Sequence, residues 1–213
     1  MTKIKICGIR TPAEAEYLNQ YPVDYAGIVL YEKSKRYVPL SKARDVIEKL
    51  NHSIIKVAVA VSPDEVVRQK VAQEGFDILQ VHGDCEKRLL KHHRDKFKIW
   101  RAINVENIND LLYFDWEKAK RFDAIVLDAK NYGSGRTFGW DTENQTEILF
   151  NFREKLRTQD ISFILAGGLN ADNVKEGIRL FSPDIVDVSS GVENETGKDK
   201  DKIENFVKQV KNI

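Results

Sequence analysis

Cysteine is scarce in this chain: its 213 residues contain two, Cys7 and Cys85. Two thiols supply no disulfide framework and cannot by themselves build a four-ligand zinc site, so no metal is expected. An excess of one charge is missing as well. Lys plus Arg number 34 against 33 Asp plus Glu, a formal net charge of +1. That balance removes the electrostatic case for nucleic acid or an anionic membrane surface as a partner. No segment approaches the roughly 18 apolar residues of a membrane span. The opening from Met1 to Gly8 also lacks the apolar stretch of a signal peptide, so a soluble, cytoplasmic protein is expected. There is no Pro/Gly/Ser-rich linker and no low-complexity tract, and a single domain over residues 1–213 is the expectation.

Hydrophobic residues still make up 42% of the chain, enough for a sizeable core. Many fall in short runs rich in Val and Ile: Lys3–Cys7, Tyr25–Leu30, Ile55–Val61, Asp77–Val81, Lys98–Ile103, Asp123–Asp128, Ser162–Ala166 and Asp184–Ser189. Several are continuously apolar, as in Ala124 to Leu127, which is how strands covered on both faces read. Longer, helix-compatible segments separate them. Thr11-Pro12 and Ser62-Pro63 each place a capping hydroxyl before a proline at the first helical position. Glu65, Gln69 and Gln73 against Val66, Val67, Val71 and Ala72 give a polar and an apolar helix face. Strand starts lie roughly 20–40 residues apart, the size of a βα unit. Eight such units predict the α/β class and a single (β/α)8 (TIM) barrel, with an open doubly wound sheet as the alternative.

In such a barrel the chemistry belongs to the loops after the strands. Cys7-Gly8 ends the first run, Tyr31 to Tyr37 follows the second, His82-Gly83 the fourth and Asp128 the sixth. Gly167-Gly168 ends the seventh and Ser189-Ser190-Gly191 the eighth. Glycines let backbone N–H groups approach an anion, and the last two loops are this fold's usual phosphate site. A thiol at Cys7 and a carboxyl at Asp128 could divide proton transfers, although a lone cysteine also serves as a small core residue. Alternation puts Lys5 on the same face as Cys7, below it. There it either lowers the thiol pKa or merely pairs with a barrel carboxylate such as Asp187. Arg36 suits a carboxylate ligand, or is one more solvated charge in a basic loop. His82 is either a ligand or a hydrogen-bonded structural histidine. The basic run Lys87 to Lys96, the alternating charges of Asp199 to Lys211, and Trp100, Trp116 and Trp140 read as solvated faces and packing residues.

The blocks Lys5 to Ile9, Ser34 to Val38, Gln80 to Gly83, Leu127-Asp128, Gly133 to Phe138, Leu165 to Asn170 and Val186 to Glu193 span nearly the whole chain. In that order they resemble phosphoribosylanthranilate isomerase of tryptophan biosynthesis. The resemblance implies an Amadori rearrangement of a phosphoribosyl substrate, with Asp128 as general acid and Cys7 as general base. It further implies Arg36 on the substrate carboxylate, with Gly167, Gly168, Ser189, Ser190 and Gly191 around the phosphate. His82 and Asp187 join the substrate-binding set. No cofactor is implied, because the substrate's own iminium is the electron sink, and the protein is expected as a monomer or homodimer. Departures are Val81 for Leu, Ser134 for Thr, Arg136 for Lys, Glu32 for Pro, and Ala58-Val59-Ala60 for Gly-Val-Phe. Glu32 and the alanine pair could reshape the aromatic end of the site. The related histidine-pathway isomerase is the rival reading, but Cys7 stands where that enzyme has aspartate. A non-catalytic phosphoribosyl-binding barrel is the other rival, and intact Cys7, Asp128 and Arg36 speak against it.

Overall fold

In a computed structural model the described residues are 1–84, 97–105, 108–129 and 143–212. The strands are β1 Lys3–Cys7, β2 Tyr25–Val29, β3 Ile55–Val61, β4 Ile78–His82, β5 Lys98–Val105, β6 Ala124–Ala129, β7 Ser162–Leu165 and β8 Ile185–Val188. All pair in parallel with their sequence neighbours, and β8 closes on β1. The expected closed barrel is the observed fold. The open-sheet alternative fails because Lys5 registers with Tyr25 on one side and Asp187 on the other.

Two apolar layers explain the continuous hydrophobic runs. Tyr25, Val57, Ile78, Trp100, Ala124, Val126, Ile164 and Ile185 pack inside the barrel, where the Tyr25 and Trp100 rings meet edge to face at 5.2 Å. Ile4, Ile6, Ile28, Leu79, Ile125 and Leu127 face outward against the helices. The two-residue strand period therefore sends neighbours such as Val126 and Leu127 into different cores.

Helices α1 Pro12–Leu18, α2 Leu40–Ile47, α3 Glu65–Gln73, α4 Trp116–Ala119, α5 Glu143–Thr158, α6 Val174–Phe181 and α7 Lys200–Lys211 occur among the described residues. Thr11 caps α1 in a complete capping box with Glu14, as its sequence predicts. Ser62 does not cap α3. Asp64 does, accepting from the Val67 amide at 2.8 Å, while Ser62 turns the chain at φ 43 and its hydroxyl accepts from Asp84 N. Of the apolar face expected on α3, Val71 is buried but Val66 is exposed. Trp100 is buried, and Trp116 joins Phe114 and Phe152 in an aromatic cluster. Cys85, the basic run from Lys87, Gly133 to Phe138 and Trp140 lie outside the described residues.

The floor of the barrel carries a fourfold repeat. Asp24, Asp77, Asp123 and Asp184 each stand immediately before an even-numbered strand. Their carboxylates accept from the second amide of the preceding odd strand, at Ile4, Lys56, Ile99 and Phe163, at 2.8, 2.8, 2.7 and 2.8 Å. Their carbonyls accept from the first amide of the next odd strand, at Ile55, Lys98, Ser162 and Lys3. Each aspartate thus clasps two strand ends that would otherwise leave donors unpaired, and the last clasp closes the ring. Asp184→Ala is expected to lower stability by about 1–3 kcal/mol, the cost of stranding the Phe163 amide. Urea unfolding monitored by tryptophan fluorescence measures this.

Candidate active site

Opposite that floor, a cavity of about 430 Å³ opens at the carboxyl ends of the strands. Cys7, Arg36, His82, Asp128, Gly167, Gly168, Asp187, Ser189 and Ser190 all line it. Residues as far apart in sequence as Cys7 and Ser189, 182 positions, meet there because every strand ends on the same rim.

Cys7 is the last residue of β1. Gly27 on the neighbouring strand makes room for it, since a Cβ at that position would lie 2.9 Å from the sulfur. Below it, Lys5 is fully buried and donates to Asp187 Oδ2 at 2.6 Å. Burial pulls the Lys5 ammonium down, but Asp187 and Cys7 together outweigh it and hold the proton on the lysine. Of the two readings of Lys5, the pairing with Asp187 is observed, and the lowering of the thiol pKa is corrected in its net sign. Burial pushes Cys7 up, and the opposing Lys5 charge, already shared with Asp187, only moderates the rise.

Asp128, inward-facing on β6, is pushed up to about 7 by burial and then by the nearby Asp187 carboxylate, with Lys5 opposing. A carboxyl of that strength exists in both protonation states near neutrality, as a general acid requires. His82 is driven down to about 4 by burial and by the charges of Lys5 and Arg101, so it is neutral. Its Nε2 lies 3.1 Å from Gln80 Nε2, a contact in which the amide donates to the ring. Two buried oxygens, Asp187 Oδ1 and Gln80 Oε1, have no hydrogen-bond partner among the described residues.

The last two loops form a cradle. Gly167 and Gly168 both take positive φ, 86° and 68°, which side-chain-bearing residues rarely adopt. A Cβ on Gly191 would collide with the Leu169 carbonyl, so glycine there lets the loops after β7 and β8 touch. Asn170 Oδ1 accepts from the amides of Asp172 and Asn173 before α6, and Asn173 donates to the Gly168 carbonyl. Asn170 thus shapes the approach to the helix, whose flanking position is taken by Asn173. Ser190–Val192 is a single 3-10 turn, and the first amides of such a turn have no partner inside it. The Ser189 hydroxyl donates to the carbonyl of Cys7 at 2.9 Å, tying this cradle to the thiol's own peptide.

Arg36 is not a free fork. Its Nε and Nη2 donate to the two carboxylate oxygens of Glu193 at 2.6 and 2.7 Å. Glu193 and its second partner, Lys198, are site residues that the sequence motifs include or adjoin without assigning a role. Ala58 and Ala60 point outward into the helix-facing core, whereas Val59 and Val61 line the cavity. The alanine departures therefore do not touch the substrate side, and Glu32 is exposed.

Residues 4–209 match the family model for N-(5'-phosphoribosyl)anthranilate (PRA) isomerase. The chain is 38% identical over 214 residues to N-(5'-phosphoribosyl)anthranilate isomerase of Clostridium kluyveri, covering all of both chains. It also superposes on the crystal structure of phosphoribosyl anthranilate isomerase from Thermotoga maritima with a TM-score of 0.84 and 32% identity, again over the full length of both. A third similar structure is a phosphoribosyl anthranilate isomerase in complex with reduced 1-(o-carboxyphenylamino)-1-deoxyribulose 5-phosphate. It has a TM-score of 0.79 and 29% identity, with full coverage.

The thiol's surroundings make a direct prediction. Alkylation of Cys7 by iodoacetamide, followed by peptide mass spectrometry, is expected to keep accelerating beyond the ordinary thiol pKa of about 8.5. In Lys5→Met the midpoint moves higher still, because the opposing charge is gone. A midpoint below that of a free thiol, or one unmoved in the variant, contradicts the electrostatics described.

Proposed function

The chain belongs to the N-(5'-phosphoribosyl)anthranilate isomerase family, and we propose how its own residues divide that reaction. The reaction is the Amadori rearrangement of N-(5-phosphoribosyl)anthranilate to 1-(o-carboxyphenylamino)-1-deoxyribulose 5-phosphate in tryptophan biosynthesis. Asp128 donates its proton to the furanose ring oxygen as the bond from that oxygen to C1′ breaks. The anthranilate nitrogen supplies the electron pair and becomes an iminium. The Cys7 thiolate then takes the C2′ proton, and the electrons of that bond neutralise the iminium to give an enolamine. Proton addition at C1′ and loss from the 2′ hydroxyl complete the ketone. No external electron sink enters this scheme.

Binding follows the same map. The N–H groups around Gly167, Gly168, Ser190 and Gly191 receive the phosphate, and the remaining N–H groups of Arg36 receive the anthranilate carboxylate. Asp187 Oδ1, buried and without a hydrogen-bond partner among the described residues, suits a sugar hydroxyl. His82, kept neutral, either donates to or accepts from the substrate. Ser189 contributes through its backbone and by holding Cys7. The observation that carries the reading is Asp128, poised at about 7, in one cavity with the Cys7 thiol and a two-loop glycine cradle.

The test is the loss of substrate fluorescence on adding the purified chain. Removing a general acid or base commonly costs about 10²–10⁴-fold. Cys7→Ala and Asp128→Asn are each expected to lower kcat by at least that range while KM changes little. Turnover near that of the unaltered chain in either variant overturns the assignment.

A further inference from the structure

Beside the reacting groups lies a buried charge cluster that the reaction scheme does not use. Glu193 follows the turn after β8, and its side chain is only 13% exposed. It is shared by two cations. Arg36 reaches it with a two-pronged contact, and Lys198, 1% exposed, reaches Oε1 at 2.7 Å. Burial would raise the Glu193 carboxyl, but the two bonds from Arg36 and the one from Lys198, with their charges, outweigh it and hold the group down at about 2, so it stays ionised throughout the working range.

Each member is fixed from a second side. Lys198 Nζ also donates to the Ser189 carbonyl at 3.0 Å, and its backbone N–H donates to Glu14, the capping-box acid of α1. The stem of Arg36 lies across Gly8, where a Cβ would collide with Arg36 Cδ. Because Glu193 engages Nε and Nη2, the Nη1 edge of the guanidinium is left for an acceptor in the cavity that Arg36 lines. One negative charge against two positive ones leaves that edge attractive to an anion.

We propose that Glu193, gripped by Lys198, is a positioning residue that presents Arg36 to the substrate's carboxylate without itself touching substrate. The inference rests on the reading of Arg36 as the carboxylate receptor. Physically, Glu193 removes the rotamer freedom of a long side chain before the substrate arrives, so less ordering remains to be done on binding. The competing possibility is that Glu193 occupies Arg36 as a rival carboxylate and weakens binding.

A double-mutant cycle on the full chain, with steady-state kinetics on N-(5-phosphoribosyl)anthranilate, separates these. Losing one charge-assisted hydrogen bond corresponds to about 10–100-fold in affinity. Glu193→Gln is expected to raise KM by that range with kcat held within about 3-fold. The same substitution is expected to have little effect in an Arg36→Met background. If Glu193→Gln does not fold, as thermal melting would reveal, Glu193→Asp replaces it in the same cycle. A lowered or unchanged KM overturns the proposal, as does an equal penalty with and without Arg36. If Arg36→Met alone leaves KM unchanged, the carboxylate-receptor reading fails first and takes the positioning role with it.

Discussion

The ion pair between Lys5 and Asp187 sits on the seam where the barrel closes. These residues are register partners on β1 and β8, and they meet at 2.6 Å beneath the cavity. Sequestering two charges is costly unless they are paired and hydrogen-bonded. The pair therefore constrains how the first and last strands align, and it fixes the field felt by everything above it. Asp187 supports the proton on Asp128, and Lys5 restrains the rise of the Cys7 thiol. Two groups assigned opposite proton transfers thus take their strengths from one buried pair and from burial itself.

Seen from this seam, the two ends of the barrel are built on different terms. At the floor, Asp24, Asp77, Asp123 and Asp184 spend their carboxylates on strand amides and hold the ring together. At the rim, polar groups are held by one partner with capacity left over: Asp187 Oδ1 has no hydrogen-bond partner among the described residues, and Arg36 keeps the edge that Glu193 does not use. Stability and chemistry are thereby separated along the strand axis.

The strands were legible because burial on both faces writes itself as unbroken apolar runs, and their ends then named Cys7, His82, Asp128 and both glycine loops. What escaped was relational. Glu193 meets Arg36 across 157 positions of sequence, and no local pattern marks such a pair. Lys198 precedes the helix-capping Asp199 and reads as one more charge in a charged segment, yet it is buried. Nor does alternation along β1 show how deeply Cys7 is buried, and it is burial that lifts the thiol pKa against the opposing Lys5 charge. At α3 the sequence points to Ser62 before Pro63, and the cap is Asp64 instead, because the chain turns at Ser62 and the helix begins only at Glu65. The strand period itself, applied to Ala58 and Ala60, would have sent them outward.

These strengths make the productive state an unusual one: protonated Asp128 together with a Cys7 thiolate, although the acid is intrinsically the stronger of the two. Below pH 7 Asp128 is already protonated and thiolate is lost, so activity falls tenfold per unit. Between about 7 and the raised thiol pKa the two populations change in opposite senses and cancel. The pH dependence of kcat is the most direct measurement. The account predicts a rise up to about pH 7 followed by a plateau that extends past the ordinary thiol range. Activity that climbs as the pH is lowered below 7 would mean a permanently ionised base and would contradict it.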